Sequence, residues 1–245
     1  MVRHSQLLLI ALVGLCGATQ ARAQEFVPLC LGDFAPFNSP ALPNSGPMVE
    51  IAVEAFARAG ITAKPTFMPW ARILKVSEKA ECAILGIWRN AERDRLYQYS
   101  QSILKQELGF FGLRSDNHDL NDPKVMASLV IGIQRGTYLS PSLVDKGYHF
   151  EETTDLQGSL LKLGKRRLDL VFGNRDAGQR MIQSQGELAS IEWKKPGLEA
   201  KDSYLAFVNN YPGQDALIKA FDKGLNSMRI DGSLKRILQN AGISQ

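Results

Sequence analysis

The fold of this chain is decided by residues 63–87, which have the sequence AKPTFMPWARILKVSEKAECAILGI. Their pattern predicts a strand at 63–68, a helix at 71–79 and a buried strand at 82–87. A strand, a helix and a further strand in this order are typical of a mainly parallel sheet that is covered by helices. The segment therefore predicts an α/β fold.

The same alternation continues on both sides of this segment. Upstream, we predict a strand at 26–32 and a helix that starts at Pro47, because proline suits a first helical turn and Gly60 follows the last apolar residue. Polar residues at 115–123 mark a connection, after which the pattern starts again. Downstream, we predict strands at 108–113, 130–134, 168–172 and 203–208, a helix capped by a residue of 153–155, and helices at 216–225 and 234–238.

The first 23 residues differ in kind from the rest of the chain. Arg3 and His4 precede an apolar run at 7–15, and small residues follow at the end of the segment. This arrangement predicts a secretory signal peptide that is cleaved near Ala23. The run is shorter than the roughly 20 residues that a membrane-spanning helix needs, so we expect no membrane insertion of the mature chain. A lipid anchor at Cys16 is the less favoured alternative.

The net charge and the number of cysteines bear on two further points, the kind of binding partner and the presence of a disulfide. The formal net charge is +4, and no basic stripe alternates with aromatic residues, which argues against a nucleic-acid partner. Beyond the leader, only Cys30 and Cys82 remain. An even number of cysteines in an exported chain favours a disulfide between them, and two separately buried thiols are the alternative.

Residues for metal or nucleophilic chemistry are few. His118 and His149 are the only histidines beyond the leader, and the two cysteines lack the CxxC spacing of a zinc site. The sequence also lacks the GxSxG, GxxxxGKS, GxxxxGKT and GxGxxG motifs. We therefore expect no metal, no cofactor and no enzymatic activity.

Aromatic and arginine side chains are concentrated beside the predicted strand ends. They are Phe34, Trp70, Arg72, Trp88 and Arg93. Arginine binds a carboxylate through two parallel hydrogen bonds, and aromatic faces pack against the remainder of a ligand. The pattern indicates a small ligand with an anionic group and a flat or apolar part. Core tryptophans and surface arginines are the alternative interpretation.

Several motifs occur in a specific order, namely Pro69-Trp70-Ala71-Arg72, then Gly86-Ile87-Trp88-Arg89-Asn90-Ala91-Glu92-Arg93, and then Tyr99-Ser100. In this order they resemble the extracellular (periplasmic) solute-binding proteins of polar amino-acid ABC importers. The resemblance implies a two-lobed α/β fold of the periplasmic-binding-protein type (type II), in which two crossover strands join two β/α lobes around a ligand cleft. One lobe would comprise 24–112 with 203–245, and the other 113–202.

The resemblance also implies roles for individual residues. Arg93 would pair with the α-carboxylate of the ligand, and Phe34 would stack on the ligand. Gly86 would offer its backbone carbonyl. Thr137, with the neighbouring Tyr138, would approach the ligand from the other lobe.

Two positions depart from the family pattern. Asn174, followed by Arg175, stands where family members place an aspartate that faces the ligand's ammonium, and Trp88 replaces a small hydroxyl residue. A neutral partner binds an ammonium less strongly than a charged one, and an indole adds a stacking face. These departures predict an anionic or aromatic ligand rather than a simple α-amino acid.

The leading hypothesis is a monomeric periplasmic protein that binds a small molecule and delivers it to an ABC permease or to a membrane sensor. A periplasmic enzyme similar to the cyclohexadienyl dehydratases, which share the fold, is one alternative. Its acid or base would be one of the carboxylates Asp33, Glu81, Asp169 and Asp176. A structural or adhesion module is a further alternative.

Overall fold

The computed structural model describes residues 26–144 and 146–243, so the predicted signal peptide lies outside the described residues. The strands are β1 Phe26–Leu31, β2 Thr62–Phe67, β3 Ala83–Trp88, β4 Tyr97–Tyr99, β5 Leu104–Leu113, β6 Val130–Gln134, β7 His149–Thr153, β8 Leu170–Asn174 and β9 Ile191–Val208. The helices are α1 Pro47–Ala57, α2 Trp70–Glu78, α3 Arg93–Leu96, α4 Pro123–Ser128, α5 Leu156–Gly164, α6 Arg175–Ser184, α7 Gln214–Ile230 and α8 Ser233–Asn240. None of these helices combines the length and apolar character that crossing a membrane requires.

Local signals place the predicted helix starts correctly. α1 begins at Pro47, and its buried residues include Met48, Ile51 and Phe56, which are spaced to face one side. α5 follows Asp155, whose side chain accepts a hydrogen bond from the amide of Gly158 at 2.7 Å. Both predictions are confirmed.

Two strands are longer than predicted, and both cross the middle of the molecule. β5 starts at Leu104 rather than at 108, and β9 starts at Ile191 rather than at 203. They pair antiparallel from Leu104 with Ser203 to Leu113 with Ile191. Both predictions were too short because charged residues interrupt the apolar alternation that marks a strand, at 105 and 107 in β5 and over most of 192–202 in β9.

These two strands join two β/α units within one sheet. The strand order is β2-β1-β3-β9-β5-β8-β6-β7, and β4 also pairs with β9. The end of β9 pairs with β3, and β5 pairs with β8 from Leu108 onward. We call β1–β4, the end of β9 and helices α1–α3, α7 and α8 the first lobe, and β6–β8 with α4–α6 the second lobe. The predicted pair of crossover strands is therefore β5 and β9.

Each lobe has an apolar core of its own. Leu29, Ile51 and Phe221 are fully buried in the first lobe. Leu160 and Val171 are fully buried in the second. β5 pairs with β8 from Leu108 onward, which favours a lobe boundary near residue 108 rather than at 112.

The predicted disulfide between Cys30 and Cys82 is formed. Cys30 lies in β1 and Cys82 immediately precedes β3, the parallel neighbour of β1. Their Cα atoms are 5.8 Å apart and both side chains are buried. The bond therefore closes a loop that contains α1, β2 and α2.

Candidate functional site

A cleft with a volume of about 570 Å³ lies between the two lobes. This volume is within the range of small-molecule sites. Its lining from the first lobe and β5 consists of Gly32, Asp33, Phe34, Ala35, Asn38, Pro40, Met48, Phe67, Met68, Pro69, Trp70, Leu85, Gly86 and Gln106. The second lobe contributes Gln134, Thr154, Asp155, Leu156, Gln157 and Met181. Since both lobes line the cleft, a change in the angle between them would open or close it.

Most of the residues that line the cleft are apolar, and one of them, Phe34, contacts two other aromatic side chains. The Phe34 ring stacks against Phe37, with the ring centroids 5.7 Å apart. It also meets the Trp88 ring edge-on at 6.1 Å. Phe34 is therefore held in place by two aromatic neighbours while it lines the cleft.

Gly86 brings the backbone of β3 to the cleft wall. Its φ of +90° is a conformation that L side chains rarely adopt, and the β3–β9 pairing is irregular between Leu85 and Ile87. A Cβ atom at this position would lie 2.8 Å from Sδ of Met48. Glycine is therefore needed at this part of the lining.

A buried arginine connects the two lobes at one end of the cleft. Arg93 Nη1 donates to the backbone carbonyl of Trp88 at 2.6 Å, and Nη2 donates to the carbonyl of Gly136 at 2.8 Å. Trp70 Nε1 donates to the same Gly136 oxygen at 2.9 Å. Gly136 belongs to the second lobe, so two donors of the first lobe hold it.

The charge of Arg93 has no carboxylate bonded to it among the residues that the structure describes. Arg93 is 6% exposed, and its burial lowers the pKa of its guanidinium. The guanidinium carbon lies 5.4 Å from the centroid of the Trp70 ring. A cation that is stabilised by two carbonyls and one aromatic face still favours an anion nearby. Arg93 contacts Trp70, a lining residue, but is not itself part of the lining.

Trp88 contacts the cleft through a second residue, Gln106. Trp88 Nε1 donates to Oε1 of Gln106 at 2.6 Å. Gln106 is 3% exposed, and its Nε2 has no hydrogen-bond partner among the described residues. The indole of Trp88 therefore fixes the orientation of an amide that lines the cleft.

Thr137 and Tyr138 follow Gly136 and lie outside the lining. The Thr137 amide donates to the carbonyl of Gln134 at 2.9 Å, which closes the turn. Tyr138 is 2% exposed, and its hydroxyl donates to Glu199 Oε2 at 3.0 Å. Burial and this hydrogen bond raise the pKa of Tyr138 to about 12. Tyr138 thus joins the second lobe to crossover strand β9.

Asn174 and Arg175 also lie outside the lining. Asn174 is 1% exposed and caps α6, because its Oδ1 accepts a hydrogen bond from the amide of Ala177 at 2.9 Å. Arg175 pairs with Glu107 of β5 and donates to Asp176 at 3.0 Å. Successive side chains of a strand alternate in direction. Glu107, and with it Arg175, therefore faces away from the side to which neighbouring Gln106 points.

Of the remaining candidates, few reach the cleft. Arg72 is exposed on α2 and is not part of the lining. Among the four carboxylates that an enzyme would use, only Asp33 lines the cleft. Asp169 accepts a hydrogen bond from the Val130 amide at 2.7 Å, and Asp176 pairs with Arg175. Within 26–144 and 146–243, no three His, Cys, Asp or Glu side chains are grouped to hold a metal ion.

Comparison with the models of known protein families shows to which family the chain belongs. Residues 30–241 match the model of the bacterial extracellular solute-binding proteins, family 3. The chain belongs to this family. No curated protein is significantly similar to it in sequence.

Solved structures of similar fold include several ligand-binding proteins. A histidine kinase sensor domain with similarity to periplasmic binding proteins is 17% identical, with a TM-score of 0.79 over 89% of this chain and 97% of that chain. The amino acid ABC transporter substrate-binding protein AbpA from Streptococcus pneumoniae, bound to L-arginine, is 16% identical. Its TM-score is 0.73, over 88% of this chain and 94% of that chain. The GluR0 ligand-binding core from Nostoc punctiforme, in complex with L-glutamate, is 15% identical. Its TM-score is 0.74, over 87% of this chain and 98% of that chain. At these identities the matches establish the type II periplasmic-binding-protein fold.

For this family 3 protein, the position of Asn174 leads to a testable expectation. Asn174→Ala should remove the cap of α6 and lower the free energy of unfolding by about 1 kcal/mol. Asn174→Asp keeps the cap and favours the helix N-terminus, but it places a carboxylate at a position that is only 1% exposed, so it should lose stability as well. Urea unfolding measures both changes. A solute affinity that changes tenfold or more in Asn174→Asp would contradict the placement of this residue outside the cleft.

Sequence reasoning missed the cleft residues of this solute-binding protein that come from the second lobe. Asp155, Gln157 and Met181 carry only helix signals in the sequence, and the tertiary fold alone brings them opposite Phe34 and Trp70. Gln106 had one detectable signal. It alternates with exposed Lys105 between buried Leu104 and Leu108, which is the pattern of a half-buried strand.

Proposed function

We propose that this protein captures a small, amino-acid-like solute in the cleft by closing its two lobes, and then delivers the solute to an ABC permease. The bond from Arg93 of the first lobe to Gly136 of the second carries this proposal. The contact exists only when the lobes are close together. It places a buried cation where both lobes meet, beside a cleft of small-molecule size.

The charge of Arg93 supports an anionic group on the solute. Within the described part of the chain, two of the five N–H groups of its guanidinium are used, in the bonds to the carbonyls of Trp88 and Gly136. Opening of the lobes would separate Gly136 from Arg93 and make the guanidinium accessible from the cleft. A carboxylate of the solute could then pair with it and be enclosed on closure, which would compensate the buried charge.

The lining supports an apolar or aromatic body for the same solute. Phe34, Met48 and Trp70 form much of the wall. Among the residues that the structure describes, the charged side chains of the lining are Asp33 and Asp155, and both are exposed. These two acids could attract an ammonium group at the edge of the cleft. Asn174 caps α6 through its Oδ1 and is not part of the lining, which supports including α-amino acids among the candidate solutes.

The place of action follows from the family and the leader together. Family 3 proteins are extracellular, and we propose export through the signal peptide with cleavage near Ala23, which places the monomeric mature chain in the periplasm. Delivery to a membrane sensor is the second candidate, because one structurally similar protein is a histidine kinase sensor domain. We further propose that the solute is released chemically unchanged.

A thermal shift screen tests this function. The chain from Gln24 onward is unfolded and refolded to remove carried-over solute, and its melting temperature is measured with the twenty standard L-amino acids and with apolar carboxylates. A solute at 100 times its Kd should stabilise the fold by about 2.7 kcal/mol. That corresponds to a rise of roughly 5–11 °C for a chain of this size.

The outcome of the screen separates the hypotheses. A carboxylate-bearing compound that raises the melting temperature and is recovered unchanged, as shown by mass spectrometry, would support solute capture. The corresponding primary amide serves as the matched control and should give a smaller shift. If no compound raises the melting temperature, the proposal is contradicted, and a product of altered mass would favour the enzyme hypothesis.

A further inference from the structure

The amide of Gln106 is the most deeply buried polar group that lines the cleft and has an unused donor. Gln106 is 3% exposed and lies on crossover strand β5. Its Nε2 has no hydrogen-bond partner among the residues that the structure describes. A buried amide donor that remains unpaired is unfavourable. Nε2 is closed off from solvent in this conformation, so a partner for it would have to enter with the solute while the lobes are open.

The orientation of this amide is set by chemistry. The indole N–H of Trp88 can only donate, so the Gln106 atom that it contacts at 2.6 Å must be the oxygen. The nitrogen then occupies the other branch of the amide. Flipping the amide would place two donors against each other. Gln106 therefore presents N–H groups, and no acceptor, to whatever approaches Nε2.

Trp88 in turn is held against the cleft wall. Its ring meets Phe34 edge-on, with centroids 6.1 Å apart, and its backbone carbonyl accepts a hydrogen bond from Arg93. Trp88 is thus a positioning residue for Gln106. This arrangement gives a physical role to the tryptophan that departs from the family pattern.

We propose that Gln106 Nε2 donates a hydrogen bond to an acceptor of the solute, a carbonyl or carboxylate oxygen. This bond would make the cleft selective for solutes that carry an acceptor at their buried end. This inference rests on the proposed function. Rejection of other solutes follows from the same geometry. A solute that presents an ammonium or an apolar group to Nε2 leaves the amide donor unpaired, which is a strong basis for discrimination.

Two variants of Gln106 test the proposal. Gln106→Met keeps the length of the side chain and removes the donor, whereas Gln106→Glu keeps the acceptor that Trp88 needs and replaces the donor by an oxygen. Gln179→Met is the matched control, because Gln179 is exposed beside Arg175 on the opposite side of the crossover strands. All proteins are titrated calorimetrically with the twenty L-amino acids, and with 3-phenylpropanoate and 3-phenylpropylamine as an acceptor and donor pair.

Both Gln106 variants should bind an acceptor probe about tenfold to one-hundredfold more weakly than the wild type, since the lost bond is one to a charged or strongly polar oxygen. The ratio of affinities for 3-phenylpropanoate and 3-phenylpropylamine should fall by a similar factor, which a merely structural role would not produce. Trp88→Phe should weaken acceptor probes by a smaller factor, because the amide remains but is no longer oriented. Gln179→Met should bind like the wild type.

The failure of this inference differs from the failure of the proposed function. If the wild type binds a probe and both Gln106 variants bind it within twofold of the wild type, the role of Gln106 is refuted while solute binding stands. If the wild type binds no probe at all, the proposed function is contradicted and the role of Gln106 with it. A variant that loses affinity equally for acceptor and donor probes would also overturn the selectivity.

Discussion

Arg93→Ala is expected to weaken solute binding by roughly thirtyfold or more, because removing one partner of a buried charged contact costs roughly 2–5 kcal/mol or more. The substitution removes the cation that would pair with the solute and also the donor that holds Gly136 of the second lobe. It leaves the Trp88 carbonyl without its guanidinium partner. Isothermal calorimetry with the compound that gives the largest thermal shift measures the change.

Two further variants separate charge from general disturbance of the site. Arg93→Lys keeps a positive charge but presents a single nitrogen, so it should recover only part of the affinity. Arg89 is the matched control, because it lies four residues away and pairs with Asp94 at 3.0 Å on the exposed surface. Arg89→Ala should bind like the wild type. An Arg93→Ala protein that keeps its affinity within about threefold would show that the solute does not depend on this cation.

Loss of the disulfide is the second large effect. Replacing Cys30 and Cys82 together by alanine should lower the free energy of unfolding by about 4 kcal/mol, because the bond closes a long loop and restricts the unfolded chain. The two residues are 52 positions apart in the sequence. For a chain of this size, the loss corresponds to a melting temperature lower by roughly 8–16 °C.

Reduction provides the control for this prediction. Dithiothreitol should lower the melting temperature of the wild type and leave that of the double alanine variant unchanged. Differential scanning calorimetry with and without the reductant makes the comparison within one experiment. A double variant that melts within about 2 °C of the wild type would show that the loop between β1 and β3 is ordered without the bond.

The sequence predicted those elements whose signals are local. α1 was found because Pro47 and the spacing of Ile51 and Phe56 lie within one helix, and α5 because Asp155 caps it. β7, His149–Thr153, was missed because its side chains are mostly polar or only half-buried, so it shows no apolar alternation. An edge strand that pairs only with β6 does not need two apolar faces.

The candidate site was predictable only in part, because some of its features depend on tertiary contacts that carry no local sequence signal. Phe34, Trp70 and Gly86 lie beside strand ends of the first lobe, and they line the cleft. Asn174 caps α6 through its Oδ1, and Arg175 pairs with Glu107, so neither is part of the lining. Roles carried over from a family pattern could not show this, because capping and pairing depend on how β8 meets α6 and β5.

The most direct test of solute capture by lobe closure is the distance between the lobes with and without solute. Spin labels attached at Ala41→Cys and Gln183→Cys would report the distance between the lobes by pulsed electron paramagnetic resonance. Both positions are exposed and lie within two residues of the cleft-lining Pro40 and Met181. A saturating solute should shorten and narrow the distance distribution, and Arg93→Ala should abolish this response. An identical distribution with and without a bound solute would contradict capture by lobe closure.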